Sequence, residues 1–548
     1  MMKRERWTSR SSFIMAAIGS AIGLGNIWRF PYVAYANGGS AFLIPYVLAL
    51  ITTGIPLVAL EYYLGARYQL GPTEVFDKIK KKSNFIGWFA ISIAAMIAFY
   101  YTAVMGWSWN YLFHSLGINW AGDEAGFFYN KVLGLTEGIN EFGGFNLPVL
   151  IGTFLTWLAI FLIIFKGIKV VSKVVKWTVG LPWLLLGILI IRGFTLKGAS
   201  LGLEYFLNPD FSKILDPKVW LAAYGQIFFS LSLGLGIMIS YSSYLPKKTD
   251  INTNAWVVSF SNCATSFFAG FAVFSTLGYL ATVTNQPIGD VAESGIGLAF
   301  IVFPTAIAKL PGGVIINSIF GIMFFLMLLT LGIDSAFSLV EAAVTSLRDS
   351  FKFKREKVTL VVCIIGFVVS LIYTTRCGLY WLDIVDRWMN WGLVIVGFME
   401  AVLIGYFFDV NKVSRDIDST SNIKFGNFWK FSIKFLTPLV LLITIVTNIV
   451  QELKVPYGGY PMWALLIGGW LPLIYLFIMS FIIQDISRRK KRLKSLFILN
   501  IALVIVILLE LAIYFFSPAL VMGVFGVILF FGGAIYGVTR LPKDKLQD

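Results

Sequence analysis

Charge, histidine and cysteine are all scarce in this chain. Only 13% of its 548 residues are charged, and the single histidine is His114, which argues against a histidine-based metal site. Cys263 and Cys363 fall within apolar runs and Cys377 near the end of one, so the three cysteines imply no disulfide framework. No polar stretch is long enough to fold as a separate soluble domain. The longest segments outside the apolar runs are 116–147, 197–217 and 283–313. The last holds Pro287, Pro304, Pro311 and Gly312–Gly313, which predicts a loop bent back toward the protein. No small-residue cleavage site precedes a polar domain, so the N-terminus does not read as a cleavable signal peptide. A membrane-embedded enzyme would need acidic or metal-binding motifs at a membrane face, and none stands out.

What the chain has is apolar length. Fifty-eight per cent of it is hydrophobic, in recurrent runs of about 20 residues, each enough to cross ~30 Å of hydrocarbon as a helix. The runs are continuous rather than alternating, which selects helices over barrel strands. Fourteen candidate spans lie near 11–36, 41–66, 86–113, 148–166, 170–194, 218–244, 254–282, 314–347, 358–375, 383–409, 429–451, 461–484, 495–516 and 518–538. The net charge of +15 could suggest a nucleic-acid partner, but its distribution says otherwise. Basic residues precede span 1 (Lys3, Arg4, Arg6, Arg10) and then cluster after every second span, at 78–82, 166–176, 247–248, 352–357, 412–415 and 488–494. The opposite-side segment 116–147 holds Asp123, Glu124, Glu137 and Glu141 against Lys131 alone. This is the positive-inside pattern. It predicts a multi-pass protein of the plasma membrane with both termini cytoplasmic and no nucleic-acid partner.

An internal echo carries more information. Span 1 contains Gly19-Ser-Ala-Ile-Gly-Leu-Gly-Asn26, and span 6 contains Ser230-Leu-Ser-Leu-Gly-Leu-Gly236. Glycine in a helix interior costs ~1 kcal/mol, and one such span alone reads as close helix packing. Two, each opening a group of five spans, point instead to an inverted repeat with broken first and sixth helices. The expected units are residues 1–196 (spans 1–5), 197–410 (spans 6–10) and a peripheral C-terminal set, 411–548 (spans 11–14). Free N–H groups at such breaks favour an anionic group such as a carboxylate. Free carbonyls and hydroxyls make an oxygen cage for a hard cation rather than a soft transition metal.

The residues at these breaks resemble the neurotransmitter:sodium symporter family. The run Gly19 to Asn26-Ile-Trp-Arg29-Phe-Pro31 is similar to its first-helix signature. Asn37-Gly-Gly-Ser-Ala-Phe-Leu-Ile-Pro-Tyr46, Gly54-Ile-Pro-Leu with Glu61, Gly225-Gln226 through Gly236, Asn262-Cys-Ala-Thr-Ser266 and Thr330-Leu-Gly-Ile-Asp334-Ser335 look like its later motifs. The likeness runs from about residue 4 to 409. It implies a secondary active symporter, not an enzyme, importing a neutral, hydrophobic or aromatic amino acid with Na+ by alternating access. A sodium-independent exchanger or a non-transporting amino-acid sensor of the same fold is the alternative.

The resemblance also implies roles. One sodium would be held by the Ala21 carbonyl, Asn26, Ser230, Asn262 and the substrate carboxylate. A second would take the carbonyls of Gly19, Ile22 and Leu331 with Asp334 and Ser335. Charge at the bilayer centre costs at least ~2.5 kcal/mol, so Asp334 in apolar span 8 needs a cation partner. Chloride would be bound by Tyr46, Gln226, Ser230 and Ser266. Chloride-independent members typically place a carboxylate where Ser266 stands, so chloride should be required. Monoamine carriers have aspartate at Gly23; glycine leaves room for the substrate's own carboxylate, met by amides around Ala21 to Gly25 and by Tyr101. The ammonium would meet carbonyls near Phe229 and Ser232, with Ile97, Phe229, Leu235, Leu339, Ser20, Ser335 and Ser338 around the side chain. The outer gate would pair Arg29 with Asp386, and the inner gate Arg4 with Asp349 beside Trp7, Ser243 and Tyr244. Glu61 would satisfy amides of the broken span 6. Glu400 and Glu510 find no role, and spans 13 and 14 exceed the family's usual count.

Overall fold

The computed structural model describes residues 4–291 and 295–489. Spans 13 and 14, with Glu510, lie outside the described residues. Within them, ten helices are long and apolar enough to cross a membrane, or eleven when the bent pair Arg10–Ala21 and Leu24–Ala36 counts as one span. That pair is span 1, bent by 57°. The ten are Gly39–Tyr68, Asn84–His114, Leu147–Ile164 and Ile168–Phe194 (spans 2 to 5), Ile251–Thr284, Gly313–Phe351, Arg355–Thr374 and Gly378–Phe407 (spans 7 to 10), and Asn427–Gly459 and Met462–Arg488 (spans 11 and 12). Span 6 is divided into Pro217–Ser230 and Ile237–Ser242, each too short to cross alone. Several helices outrun their apolar runs: span 10 begins at Gly378, five residues before the expected 383, and span 8 continues to Phe351. Hydropathy marks the hydrocarbon boundary, whereas helical hydrogen bonding continues into the polar layer.

Burial separates a core from a lipid-facing rim. Spans 2, 3, 7 and 10 are 67%, 72%, 61% and 61% buried along their most apolar windows, against 28% for span 5 and 22% for spans 11 and 12. Segment 283–313 does bend back. Its helix Gly295–Ala308 buries Phe300 and Phe303, the Phe300 carbonyl accepts from the Tyr111 hydroxyl (2.6 Å), and the Pro304 carbonyl accepts from Trp120 Nε1 (2.9 Å).

Four prolines inside helices leave the same mark. Widened π turns occupy Leu50–Gly54, Leu298–Val302, Ser432–Leu436 and Leu466–Trp470, each ending two residues before a proline (Pro56, Pro304, Pro438, Pro472). Proline lacks the N–H that would bond four residues back and its ring crowds that carbonyl, so the preceding residue bonds one position further back. In the first case Ile55 donates to the Leu50 carbonyl, and the freed Thr52 carbonyl accepts from the Ser432 hydroxyl of span 11. A polar neighbour thereby does what hydrocarbon cannot.

Spans 2 and 6 touch at Gly65. A Cβ there would overlap Ser242 Oγ and the Ile239 carbonyl, whereas one at Gly180 or Gly187 on span 5 would meet nothing within 4 Å. Gly65→Ala should lower the unfolding temperature in detergent, a loss of about 1–3 kcal/mol from overpacking. Gly180→Ala and Gly187→Ala should leave it unchanged or raised; equal melting of all three would contradict this packing.

Candidate functional site

The two breaks face one cavity of about 650 Å³. In span 1, Ile22 and Gly23 leave the helix for extended backbone, and the second half starts with Gly23 as its cap. The Gly23 amide donates to Asn26 Oδ1 (2.9 Å), while the Leu24 amide reaches only the Tyr101 hydroxyl, at 3.4 Å. In span 6, Ser232, Gly234 and Gly236 take left-handed φ of +53°, +74° and +68°. Ser232 is the costly one, since a side chain there is disfavoured by roughly 1–3 kcal/mol. Its hydroxyl bonds the Ser20 carbonyl of span 1 at 3.2 Å, tying one break to the other. Glu61 Oε1 accepts from the Gly234 amide (2.9 Å), as expected of it. Glu400 is buried in span 10, and its Oε1 makes no hydrogen bond.

The cavity wall includes Ser20, Ala21, Gly23, Gly25, Ile97, Tyr101, Phe229, Ser230, Ser232, Leu235, Ser335 and Leu339. Ser338 stands behind Ser20, joined to it hydroxyl to hydroxyl at 2.9 Å. Gly23 and Gly25 are closely framed: a Cβ would lie 2.9 Å from Ser335 Oγ at the first and 2.9 Å from the Phe229 ring at the second. Sequence reasoning missed the mouth of this cavity. Trp28, Tyr32, Asp383, Arg387 and Tyr457 also line it. Tyr457 comes from the 3-10 turn Tyr457–Gly459 at the end of span 11, and with Tyr460 it donates to Asp383 at 2.8 and 2.9 Å. Its only sequence signal was a Tyr-Gly-Gly-Tyr turn, with no motif attached.

Two oxygen-rich clusters flank the cavity. In one, the Asn26 amide nitrogen has Ser266 Oγ (2.7 Å), Asn262 Oδ1 (2.9 Å), Ser230 Oγ (3.2 Å) and the Asn262 carbonyl (3.4 Å) around it. Four acceptors exceed what two amide hydrogens can serve, so the cluster is rich in uncommitted lone pairs. The other centres on Asp334, which is buried and accepts no hydrogen bond at either carboxylate oxygen. Thr178 on span 5 gives its hydroxyl to the Val174 carbonyl instead (3.2 Å). A Cβ on Gly19 would lie 2.5 Å from Asp334 Oδ2, so only glycine lets the span 1 backbone come this close. Ser335, one residue on, reaches the carbonyls of Ile22 (3.4 Å) and Ser20 (3.5 Å). An unbonded carboxylate among backbone carbonyls is a donor set for a hard cation.

Beside the first cluster, Tyr46 and Gln226 are buried with the tyrosine hydroxyl and both amide atoms lacking a hydrogen bond. Tyr46 packs against Ser230, Ser266 and Cys263, but its hydroxyl completes no well-aligned bond with them. Buried donors without acceptors fit an anion.

The gates differ. Arg4 holds both carboxylate oxygens of Asp349 at 2.7 Å and also bonds Ser243. Trp7 Nε1 donates to the Tyr241 carbonyl (2.8 Å), and the Arg4 guanidinium lies 4.7 Å over the Tyr244 ring. A second layer that sequence reasoning missed lies beneath: Tyr244 donates to Glu341 Oε1 (2.8 Å), buried Arg355 pairs with Glu341, and Arg348 with Glu5 at 3.2 Å. On the other side Arg29 and Asp386 form no ion pair. The Arg29 guanidinium sits 4.5 Å over Phe229, while Asp386 accepts from Tyr100 (2.6 Å) and Asn390 (3.1 Å). Both residues line the cavity, which separates them.

A family model described as the sodium:neurotransmitter symporter family matches residues 4–125 and 119–489. An uncharacterized sodium-dependent transporter of Methanocaldococcus jannaschii is 40% identical over 492 residues, covering 89% of this chain and 99% of that one. The sodium-dependent dopamine transporter of Caenorhabditis elegans is 34% identical over 511 residues, 83% of this chain and 82% of its own. The human sodium- and chloride-dependent neutral and basic amino acid transporter B(0+) is 34% identical over 546 residues, 87% and 84% respectively. With matches of this extent on a cavity built between two broken helices, the chain belongs to the sodium:neurotransmitter symporter family, whose members are transporters and not enzymes.

Proposed function

We propose that this chain imports a neutral, apolar or aromatic amino acid together with two sodium ions and, with them, chloride, across the plasma membrane. The observation that carries the reading is Asp334: a buried carboxylate without hydrogen bonds, packed against Gly19 of span 1 and next to Ser335, whose hydroxyl reaches the Ile22 carbonyl at the break. One sodium binds there, with Gly19, Ile22, Leu331 and Ser335. The other binds among Ala21, Asn26, Ser230 and Asn262. The substrate carboxylate lies against the Leu24 and Gly25 amides and Tyr101, where Gly23 leaves the space that an aspartate would fill. Ile97, Phe229, Leu235 and Leu339 make the side-chain pocket apolar. The human relative named as a sodium- and chloride-dependent neutral and basic amino acid transporter supports the same assignment.

Residues 1–196 and 197–410 act as inverted repeats whose broken helices meet at the site, and 411–548 flanks them, with both termini cytoplasmic. The inner pair Arg4–Asp349 is joined and the outer pair Arg29–Asp386 is apart, so the cavity faces outward. Sharing the substrate carboxylate with one sodium makes each favour the other's binding, and this is the coupling free energy of the cycle. Each sodium entering across ~100 mV yields about 2.3 kcal/mol and a tenfold gradient adds about 1.4. Two ions supply roughly 7 kcal/mol before the opposing cost of chloride entry.

Proteoliposome uptake of labelled amino acids is expected under an inward sodium gradient and not when choline replaces sodium; uptake unchanged in choline would reject the reading. Asp334→Asn should melt no lower than the parent in sodium-free buffer, since it removes an uncompensated buried charge, yet lose the sodium-induced rise in melting temperature. Ser266→Glu, measured in chloride against gluconate, should transport equally in both, while the parent slows at least tenfold in gluconate. Finally, Val33→Cys should react quickly with a water-soluble maleimide and Ser243→Cys slowly, against a low background from three buried native cysteines.

A further inference from the structure

On the face that carries Arg4–Asp349, the link between spans 10 and 11 folds into a pocket that transport does not use. Helix Val410–Thr420 packs Val413 and Ile417 inward, and a turn, 421–426, leads into span 11 at Asn427. Asn252, at the start of span 7, pins both pieces. Its side-chain nitrogen donates to Asp418 (3.0 Å) and to the Ile423 carbonyl (2.7 Å), and its backbone amide to Ser421 (3.0 Å). Two residues on, Asn254 accepts from Arg10, which places this corner on the same side as the N-terminal segment. A cavity of about 320 Å³ lies between helix and turn, walled by Ser414, Arg415, Asp418, Ser419, Lys424, Asn427 and Lys430.

Three cations and one carboxylate meet here, but the carboxylate is already committed. Asp418 Oδ1 accepts from the Phe425 amide (2.9 Å) as well as from Asn252, and Oδ2 accepts from the Gly426 amide (2.9 Å). None of the ion pairs formed among the described residues involves Arg415, Lys424 or Lys430. Like charges around one cavity repel unless an anion joins them. The donors offered are a guanidinium fork, two ammonium groups and the Asn427 amide, the Ser414 and Ser419 hydroxyls being given to the Gly426 and Asp416 carbonyls, and they match the several acceptor oxygens of a phosphate group.

Position selects the source of that phosphate. Lys430 stands in the first turn of span 11, where the chain enters the hydrocarbon. Beside it Phe428, Phe431 and Phe435, spaced along one side of the helix, are 40%, 55% and 53% exposed. A soluble anion has no use for that apolar strip; acyl chains do. The basic side of a membrane protein also faces the leaflet where anionic lipids draw Lys and Arg. We propose that this pocket binds the headgroup of an anionic phospholipid of the phosphatidylglycerol class, its acyl chains lying along the Phe428–Phe435 strip.

Native mass spectrometry of the purified full chain with added dioleoyl phosphatidylglycerol or dioleoyl phosphatidylcholine tests this, with thermal unfolding in parallel. The parent should retain phosphatidylglycerol at least tenfold better than phosphatidylcholine and melt higher in its presence. The triple variant Arg415→Gln, Lys424→Gln, Lys430→Gln should lose that preference, its phosphatidylcholine retention unchanged. Inorganic phosphate, added alone at millimolar concentration, should not reproduce the thermal rise. If it does so fully, the pocket takes a free anion and the lipid assignment fails. Should the triple variant not purify, Lys424→Gln, on an exposed side chain, is expected to cut phosphatidylglycerol retention about threefold. Retention unchanged in the variant that purifies overturns the proposal.

Discussion

A peptide group inside hydrocarbon must find its hydrogen bond within the protein, and breaking a helix there leaves several groups unserved. Both breaks in this molecule meet that demand with polar side chains from elsewhere in the fold. Glu61 takes the Gly234 amide, Tyr101 stands at the Leu24 amide, Asn26 folds back on the Gly23 amide, and Ser232 crosses to the Ser20 carbonyl. The breaks are therefore held in place by cross-links that also draw spans 1, 2, 3 and 6 around one cavity. Loosening any of these contacts disturbs both the backbone and the site it frames.

Within that frame the unserved groups divide by sign. Carboxylate and carbonyl oxygens gather at Asp334 and around Asn262, while hydroxyl and amide donors without acceptors gather at Tyr46 and Gln226. Such separation of lone pairs from donors, all buried, is costly in an apolar medium unless ions of matching charge enter. On the proposed function, ions entering there act directly on the two broken helices. Arg4–Asp349 has the Arg355–Glu341 pair beneath it, whereas Arg29 and Asp386 form no ion pair and both line the cavity.

The outer spans do more than shield the core from lipid. Ser432 on span 11 serves the Thr52 carbonyl that Pro56 releases on span 2. Tyr457, at the end of span 11, reaches Asp383 at the cavity mouth. A segment expected to be peripheral thus contributes to the wall of the central cavity, because its connecting loop folds inward over span 10.

The sequence by itself determined the membrane class, the helical spans among the described residues and both break points. Each of these is local: twenty apolar residues must cross, and glycines clustered in mid-span mark where a helix can end. It also pointed to the residues at the centre of the cavity, because Gly-Leu-Gly with Asn26 on span 1, and Ser335 on span 8, sit in recognisable register. Only the tertiary structure decided that Arg4 meets Asp349 while Arg29 lies over Phe229. Gate contacts depend on how the bundles are tilted, and the same residues serve either arrangement. The mouth residues Asp383, Arg387 and Tyr457, and the commitment of Asp418 to backbone amides, were not legible in the sequence. They arise where loops far apart in the chain are brought together, and no periodicity or motif in a single segment encodes such a meeting.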